Sequence, residues 1–320
     1  MQATAVAQPN IALIKYWGKR DVVRNLPAVG SISITLRELY TRMQVRFDSG
    51  LDNDELTVNG SPDTAMLPRL SACLDRVAGE SRSRAHIAST CNFPIAAGLA
   101  SSASSFAALT VAAAAATGNA ADTLRLARLA GRASGSAARS LFGGFVELSN
   151  AGDDIDLQAL CPAEAWPLRV VVAITATGPK AVGSTEAMEI SRRTSPFYSN
   201  WVAQQEHDLA IARDAIAARD FEKLAAIAEH NCLKMHSVMW ASRPAMVYWN
   251  AATMRCLHTV RRLQGKGVGV FFTIDAGPQV KAVCLPAAQA EVEAALRATD
   301  GVRDVMISGL GDGARQEVGA

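Results

Sequence analysis

The feature that most constrains the fold is a change of texture at Gly178-Pro179. Before it, short alternating or apolar runs are separated by turn residues. After it, residues 184–193, 197–217, 220–239 and 244–263 carry apolar side chains at the 3.6 period of amphipathic helices. Strand-rich and helix-rich stretches segregated in this way predict α+β architecture: mixed sheets with helices on one face, not a regular βαβ alternation. We expect two domains, 1–178 and 179–320, with the boundary near 176–182. A chain of 320 residues that is 49% hydrophobic is long enough for two cores.

Within the first half, residues 31–36 alternate strictly and predict a half-buried strand. Further strands are expected at 41–47, 55–58 and 86–89. A helix opening at Pro62-Asp63 carries Leu67, Leu70, Leu74 and Val77, and Asp122 caps another. The continuous apolar run 168–175 reads as a strand buried on both faces. Beyond the helices come a strand at 267–274, the turn Asp275-Ala276-Gly277-Pro278, a strand at 280–285, a helix at 286–298 and a strand at 302–307.

Charge and cysteine usage narrow the function classes. The net charge of +2 is spread along the chain and gives no sign of a nucleic-acid or membrane-surface partner. Six widely spaced cysteines, with no Cys-x-x-Cys pair, read as reduced thiols of a cytoplasmic protein. The N-terminus lacks the charged and apolar regions of a signal peptide. No apolar run is suited to crossing a bilayer.

Four polar segments carry candidate chemistry. Residues 92–105 place Pro94, Gly98, Ser101 and Ser102 before an Ala-rich helix. Helix N-termini bind anions, and small residues allow close backbone approach. The same residues fit an ordinary Ser-capped helix, and neither common nucleotide signature is present. Lys15, Tyr16 and Lys19 beside Trp17 form either a solvated basic turn or an anion site. Ser134, Ser136 and Arg139 fit a linker or an anion site equally. Asp275 is a turn former or a reactive carboxylate. Together, the cations, hydroxyls and strand-end carboxylate suit a polyanionic substrate with a reacting hydroxyl.

The segments Pro9-Asn10-Ile11-Ala12 to Lys19-Arg20-Asp21, Ala96-Ala97-Gly98-Leu99-Ala100-Ser101-Ser102-Ala103, Ser134-Gly135-Ser136-Ala137-Ala138-Arg139 to Gly143-Gly144, and Asp275-Ala276-Gly277-Pro278 resemble the motifs of diphosphomevalonate decarboxylases. They occur in that family's order, and the resemblance runs from about residue 5 to 312. It implies membership of the GHMP kinase superfamily, with a ribosomal S5 domain 2-like N-terminal domain and a ferredoxin-like C-terminal domain. It also implies a cleft site, magnesium-ATP, a homodimer and isoprenoid biosynthesis by the mevalonate pathway.

By that resemblance, Asp275 orients the C3 hydroxyl of mevalonate 5-diphosphate, with Lys15 beside it, and Arg139 clamps the substrate carboxylate. Tyr16, Lys19, Arg69, Ser134, Gly135, Ser136 and Ser184 belong to the diphosphate side. Gly98, Leu99, Ala100, Ser101 and Ser102 form the ATP phosphate loop, Ser102 also meets magnesium, and Ser89 and Asn92 are candidates for the adenine pocket. Ala138 stands where many relatives have Cys, a change that leaves the chemistry untouched. The competing readings are a mevalonate kinase-type enzyme, a monophosphate decarboxylase and a non-catalytic ligand-binding member of the superfamily.

Overall fold

A computed structural model describes residues 1–93, 100–119, 121–178 and 181–317. Its helices are α1 (Leu67–Ala78), α2 (Ser101–Ala116), α3 (Thr123–Ala133), α4 (Ser184–Thr194), α5 (Tyr198–Ala218), α6 (Phe221–Trp240), α7 (Ala251–Gly265) and α8 (Gln289–Arg297). Asp122 and Asp220 accept hydrogen bonds from first-turn backbone N–H groups of α3 and α6, as N-cap side chains do.

Three larger sheets organise these helices. The first has six strands, built around Gln2–Ala7, Thr41–Asp48 and Arg84–Cys91. The second orders Asp154–Cys161, Phe145–Ala151, Ser31–Thr35 and Asn10–Ile14. The third orders Val270–Thr273, Val280–Cys284, Arg169–Ile174 and Asp304–Gly309. All three agree with the α+β expectation.

Coverage of the sheets departs from the expectation of helices on one face. Val146 and Leu148 of the second sheet pack with α1, α2 and α3, whereas Ile32, Ile34 and Phe145 pack with α5 and α6. In the third sheet Val170 and Val172 join that same core, while Val171 and Ala173 face α7 and α8. Both sheets are therefore covered on both faces. This accounts for the unbroken apolar run 170–174 in an antiparallel setting. It also corrects the half-buried reading of residues 31–36, because every residue of Ser31–Thr35 is buried.

Two further differences have local causes. The helix expected from Pro244 starts at Ala251, where Asn250 and Thr253 form a reciprocal capping box. Met246 instead drops into a cluster with Trp17, Trp201 and Met239. Sheet membership also crosses over earlier than 178/179: Arg169–Ile174 pairs with Val280–Cys284 and Asp304–Gly309. The chain then returns late, as Arg315–Glu317 pairs with Gln2–Ala7. The covered seam between the second and third sheets is where the polar side chains gather.

Candidate active site

Lys15 follows the strand Asn10–Ile14, and Asp275 follows Val270–Thr273. Lys15 Nζ lies 2.8 Å from Asp275 Oδ1 and donates a second hydrogen bond to the Ala12 carbonyl at 2.8 Å. The Lys15 side chain is 1% exposed, whereas that of Asp275 is 24% exposed and opens outward. A second ammonium, Lys281 Nζ, lies 3.2 Å from Asp275 Oδ2 and is 0% exposed. Burial pushes the Asp275 carboxyl up, but Lys15 and Lys281 together hold it well below the usual carboxylate range. Asp275 is thus an ionised, weakly basic carboxylate with each oxygen beside a cation.

The Lys15 backbone is fixed by the helix-rich half of the chain. Its N–H donates to Asn231 Oδ1 at 2.7 Å, and its carbonyl accepts from Gln205 Nε2 at 2.7 Å. Asn231 in turn donates to Asp208 Oδ2 at 2.6 Å, which Lys234 neutralises at 2.7 Å. Each buried polar atom in this network answers another, so the strand end cannot shift without breaking several bonds.

Arg139 sits in a short 3-10 turn, Ala137–Leu141, and is 2% exposed. Its guanidinium donates to Ser33 Oγ at 2.9 Å, to Ser31 Oγ, and to Asn10 Oδ1 at 3.3 Å. All three acceptors are neutral. Burial lowers its pKa to about 10, partly offset by the charge of Asp275. A buried guanidinium held by neutral partners is costly without a counter-charge, which suits an incoming carboxylate.

The expected anion residues lie around this centre. Lys19 Nζ reaches Thr185 Oγ1 at 3.4 Å, at the start of α4 beside Ser184. Burial lowers the Lys19 pKa, and the neighbouring Arg69 lowers it further. Two cations pressed together in this way favour a multiply charged anion. Arg69 itself donates to the Ala133 carbonyl at 3.1 Å, next to Ser134. Ser134 Oγ meets Ser102 Oγ at 3.3 Å and Ser136 Oγ at 3.4 Å, which joins the expected diphosphate and phosphate-loop residues. A Cβ on Gly135 would lie 2.7 Å from Tyr16 Oη, so only glycine lets this loop lie against the phenol. That buried Tyr16 hydroxyl has no hydrogen-bond partner among the described residues, and burial raises its pKa.

Gly98 and Leu99 lie outside the described residues. Ala100, with φ of 54°, begins α2 and supplies no side-chain cap. The positive end of this 16-residue helix is thereby offered to an anion near Ser101 and Ser102. Ser89 lies within Arg84–Cys91, where its carbonyl accepts from Asn59 N–H. Asn92 spends its amide on the backbone of Glu38 and Tyr40, at 2.8 Å each. Among the described residues, no hydrogen bond ties either residue to the centre above.

Residues 7–159 match the family model described as diphosphomevalonate decarboxylase-like N-terminal domain. Residues 170–308 match mevalonate 5-diphosphate decarboxylase C-terminal domain. The chain belongs to the diphosphomevalonate decarboxylase family. The diphosphomevalonate decarboxylase of Candida albicans is 36% identical over 297 residues, 86% of this chain and 82% of that protein. The human diphosphomevalonate decarboxylase is 35% identical over 320 residues, 92% of this chain and 79% of its own length. Among solved structures, mevalonate diphosphate decarboxylase from Staphylococcus aureus superposes with a TM-score of 0.93 at 32% identity, covering 99% of this chain and 98% of that one. MDDEF in complex with MVAPP, AMPPCP and magnesium superposes with a TM-score of 0.91 at 32% identity, covering 99% of each chain.

For a chain of the diphosphomevalonate decarboxylase family, the sequence reading missed several contributors. Lys281 is the chief one; its only sequence signal is a single charge inside the apolar run Val280-Lys281-Ala282-Val283-Cys284. Asn10 enters the sequence reading only inside a motif, and Ser31 and Ser33 only inside the strand 31–36, yet all three hold Arg139. The polar side of that alternating strand faces a guanidinium, not water.

Proposed function

We propose that this chain converts mevalonate 5-diphosphate and ATP to isopentenyl diphosphate, CO2, phosphate and ADP. The observation that carries the reading is the pairing of an ionised Asp275 with a buried Arg139 that meets only neutral partners. One suits a hydroxyl and the other a carboxylate, and this substrate carries a hydroxyl on C3 and a carboxylate on the adjacent C2.

Arg139 would hold the substrate carboxylate through its planar fork. Tyr16, Lys19, Arg69, Ser134, Gly135, Ser136 and Ser184 would hold the diphosphate. Asp275 would accept the hydrogen bond of the C3 hydroxyl and aim its oxygen at the γ-phosphorus of ATP. Because two ammonium groups make Asp275 a weak base, it takes the proton late, as the new O–P bond forms and the bond to ADP breaks. The C3–O bond then breaks to release phosphate. The electrons of the carboxylate C–C bond become the new double bond as CO2 leaves.

Ser101, Ser102 and the start of α2 would receive the phosphates of ATP. Among the described residues, no three His, Cys, Asp or Glu side chains converge as a metal cage. The available donor set therefore fits magnesium held by Ser102 together with nucleotide phosphates, the usual mode for this cation. Magnesium bound there neutralises phosphate charge.

Six free cysteines accord with a reducing, cytoplasmic compartment. No helix among the described residues is long and apolar enough to cross a membrane. We read the chain as two domains, 1–178 and 179–320, and the assembly as a homodimer, to be checked by limited proteolysis and sedimentation.

The test is to supply purified protein with magnesium-ATP and either mevalonate 5-diphosphate or the 5-monophosphate. CO2 and phosphate released in step with ADP, and only from the diphosphate, is the expected outcome. ADP without CO2 would replace this reading with a kinase. Preference for the monophosphate would reassign the substrate.

A further inference from the structure

We propose that Lys281 is a positioning residue for this reaction, holding Oδ2 of Asp275 from behind so that the carboxylate meets the C3 hydroxyl in one orientation. The inference rests on the decarboxylase reading of the site. Lys281 lies in the middle of Val280–Cys284, an interior strand of its sheet, paired in register with Thr273 on one side and Val172 on the other. Every other residue of that strand is apolar and buried. Taking an ammonium out of water at such a place is expensive, and a well-packed apolar side chain of similar volume usually serves stability as well or better.

Charge neutralisation alone does not explain Lys281 either. Asp275 already has Lys15 at 2.8 Å, and Arg139 adds a third cation whose charge reaches the same carboxylate. What Lys281 adds is geometry. Lys15 takes Oδ1 and Lys281 takes Oδ2, so turning the carboxylate plane breaks both contacts at once. From α6, Cys232 and His236 also face this group. Burial raises the Cys232 thiol and lowers the His236 imidazole to about 3, so both are neutral and neither competes for the carboxylate or its proton. Oδ2 itself is buried, so the 24% exposure of the Asp275 side chain lies on its other atoms.

The variant K281M keeps the length of the side chain and removes the charge. Its kcat is expected to fall by about tenfold or more, with KM for both substrates within about threefold of wild type, the pattern of an interaction used in the transition state. The acid limb of kcat is expected to move to higher pH, because Asp275 loses one of the two cations that keep it ionised. A merely structural lysine would leave that limb in place. Wild-type kcat in K281M, an unmoved acid limb, or a rise in KM alone would overturn the assignment. Wild-type protein inert toward every mevalonate phosphate would overturn the functional reading instead.

A second arm does not depend on K281M folding. In wild-type protein carrying aspartate labelled with carbon-13 at the side-chain carboxyl, the Asp275 signal is identified by its loss in D275N. It is expected to report a full carboxylate at pH 4, where an ordinary aspartate is about half protonated. A signal titrating in the ordinary range would overturn the proposal.

Discussion

Lys15 and Asp275, 260 residues apart in the chain, meet at 2.8 Å with the lysine sealed from solvent and the aspartate open to it. Lys15 directly follows a strand of the second sheet and Asp275 lies just beyond a strand of the third, so the pair joins the two sheets. Its partner Lys281 makes the carboxylate a shared anion.

Asp275→Asn removes the anion from two buried ammonium groups. Turnover is expected to fall by about 1000-fold or more, while ATP binding, read by calorimetry, changes little. The melting temperature is expected to drop as well, because two buried cations lose their counter-charge. Near-wild-type turnover would remove Asp275 from the mechanism.

Arg139→Met separates function from stability. The guanidinium has no ion-pair partner among the described residues, and its neutral acceptors include two hydroxyls that can turn. Stability by thermal melting is expected to stay within about 1 kcal/mol of wild type, while kcat/KM falls about 100-fold or more. A large loss of stability with activity kept per folded molecule would make Arg139 a structural residue.

Gly135→Ala tests the diphosphate side. The added methyl would lie 2.7 Å from Tyr16 Oη, so the loop or the phenol must move. KM for mevalonate 5-diphosphate is expected to rise about tenfold, with KM for ATP nearly unchanged. Equal changes in both would mean that the loop does not distinguish the two substrates.

Acid sensitivity has a source far from the site. Asp54 and Arg82, with side chains 4% and 2% exposed, pair at 2.6 Å. Burial pushes the Asp54 carboxyl up, but hydrogen bonds from Arg82 dominate and bring it to about 2. A depressed carboxyl stabilises the fold above its unfolded pKa, and that contribution is lost as pH falls through the folded value. The pair is therefore expected to contribute about 2 kcal/mol at neutral pH and to lose it between about pH 4 and pH 2. Thermal melts of wild type and Asp54→Asn across that window should converge at the acid end. A constant gap would show that ionisation is not the cause.

Local physics was written plainly in the sequence. Asp122 caps its helix as expected, and the apolar run around Val170–Val172 is a strand covered on both faces. Lys15, Arg139 and Asp275 are legible in the sequence as polar segments with ordinary alternatives, and the family resemblance is what singles them out as site residues. Side-chain alternation at Ser31–Thr35 was equally legible, but its meaning was not: alternation shows two unlike faces and cannot say whether the polar one meets water or Arg139. Lys281 was missed on the same ground. One lysine in an apolar strand looks like an edge position until the strand is seen inside a sheet, with Asp275 as its neighbour. The sequence by itself determined the elements, their caps and the chemical types at the site, because these depend on neighbours three or four residues away. Only the tertiary structure decided which carboxylate has two cations and which guanidinium meets only neutral partners. Lys15 and Arg139 meet their partners across more than 100 residues of chain, Lys281 meets Asp275 across a strand-to-strand turn, and all of these contacts depend on the water excluded around them.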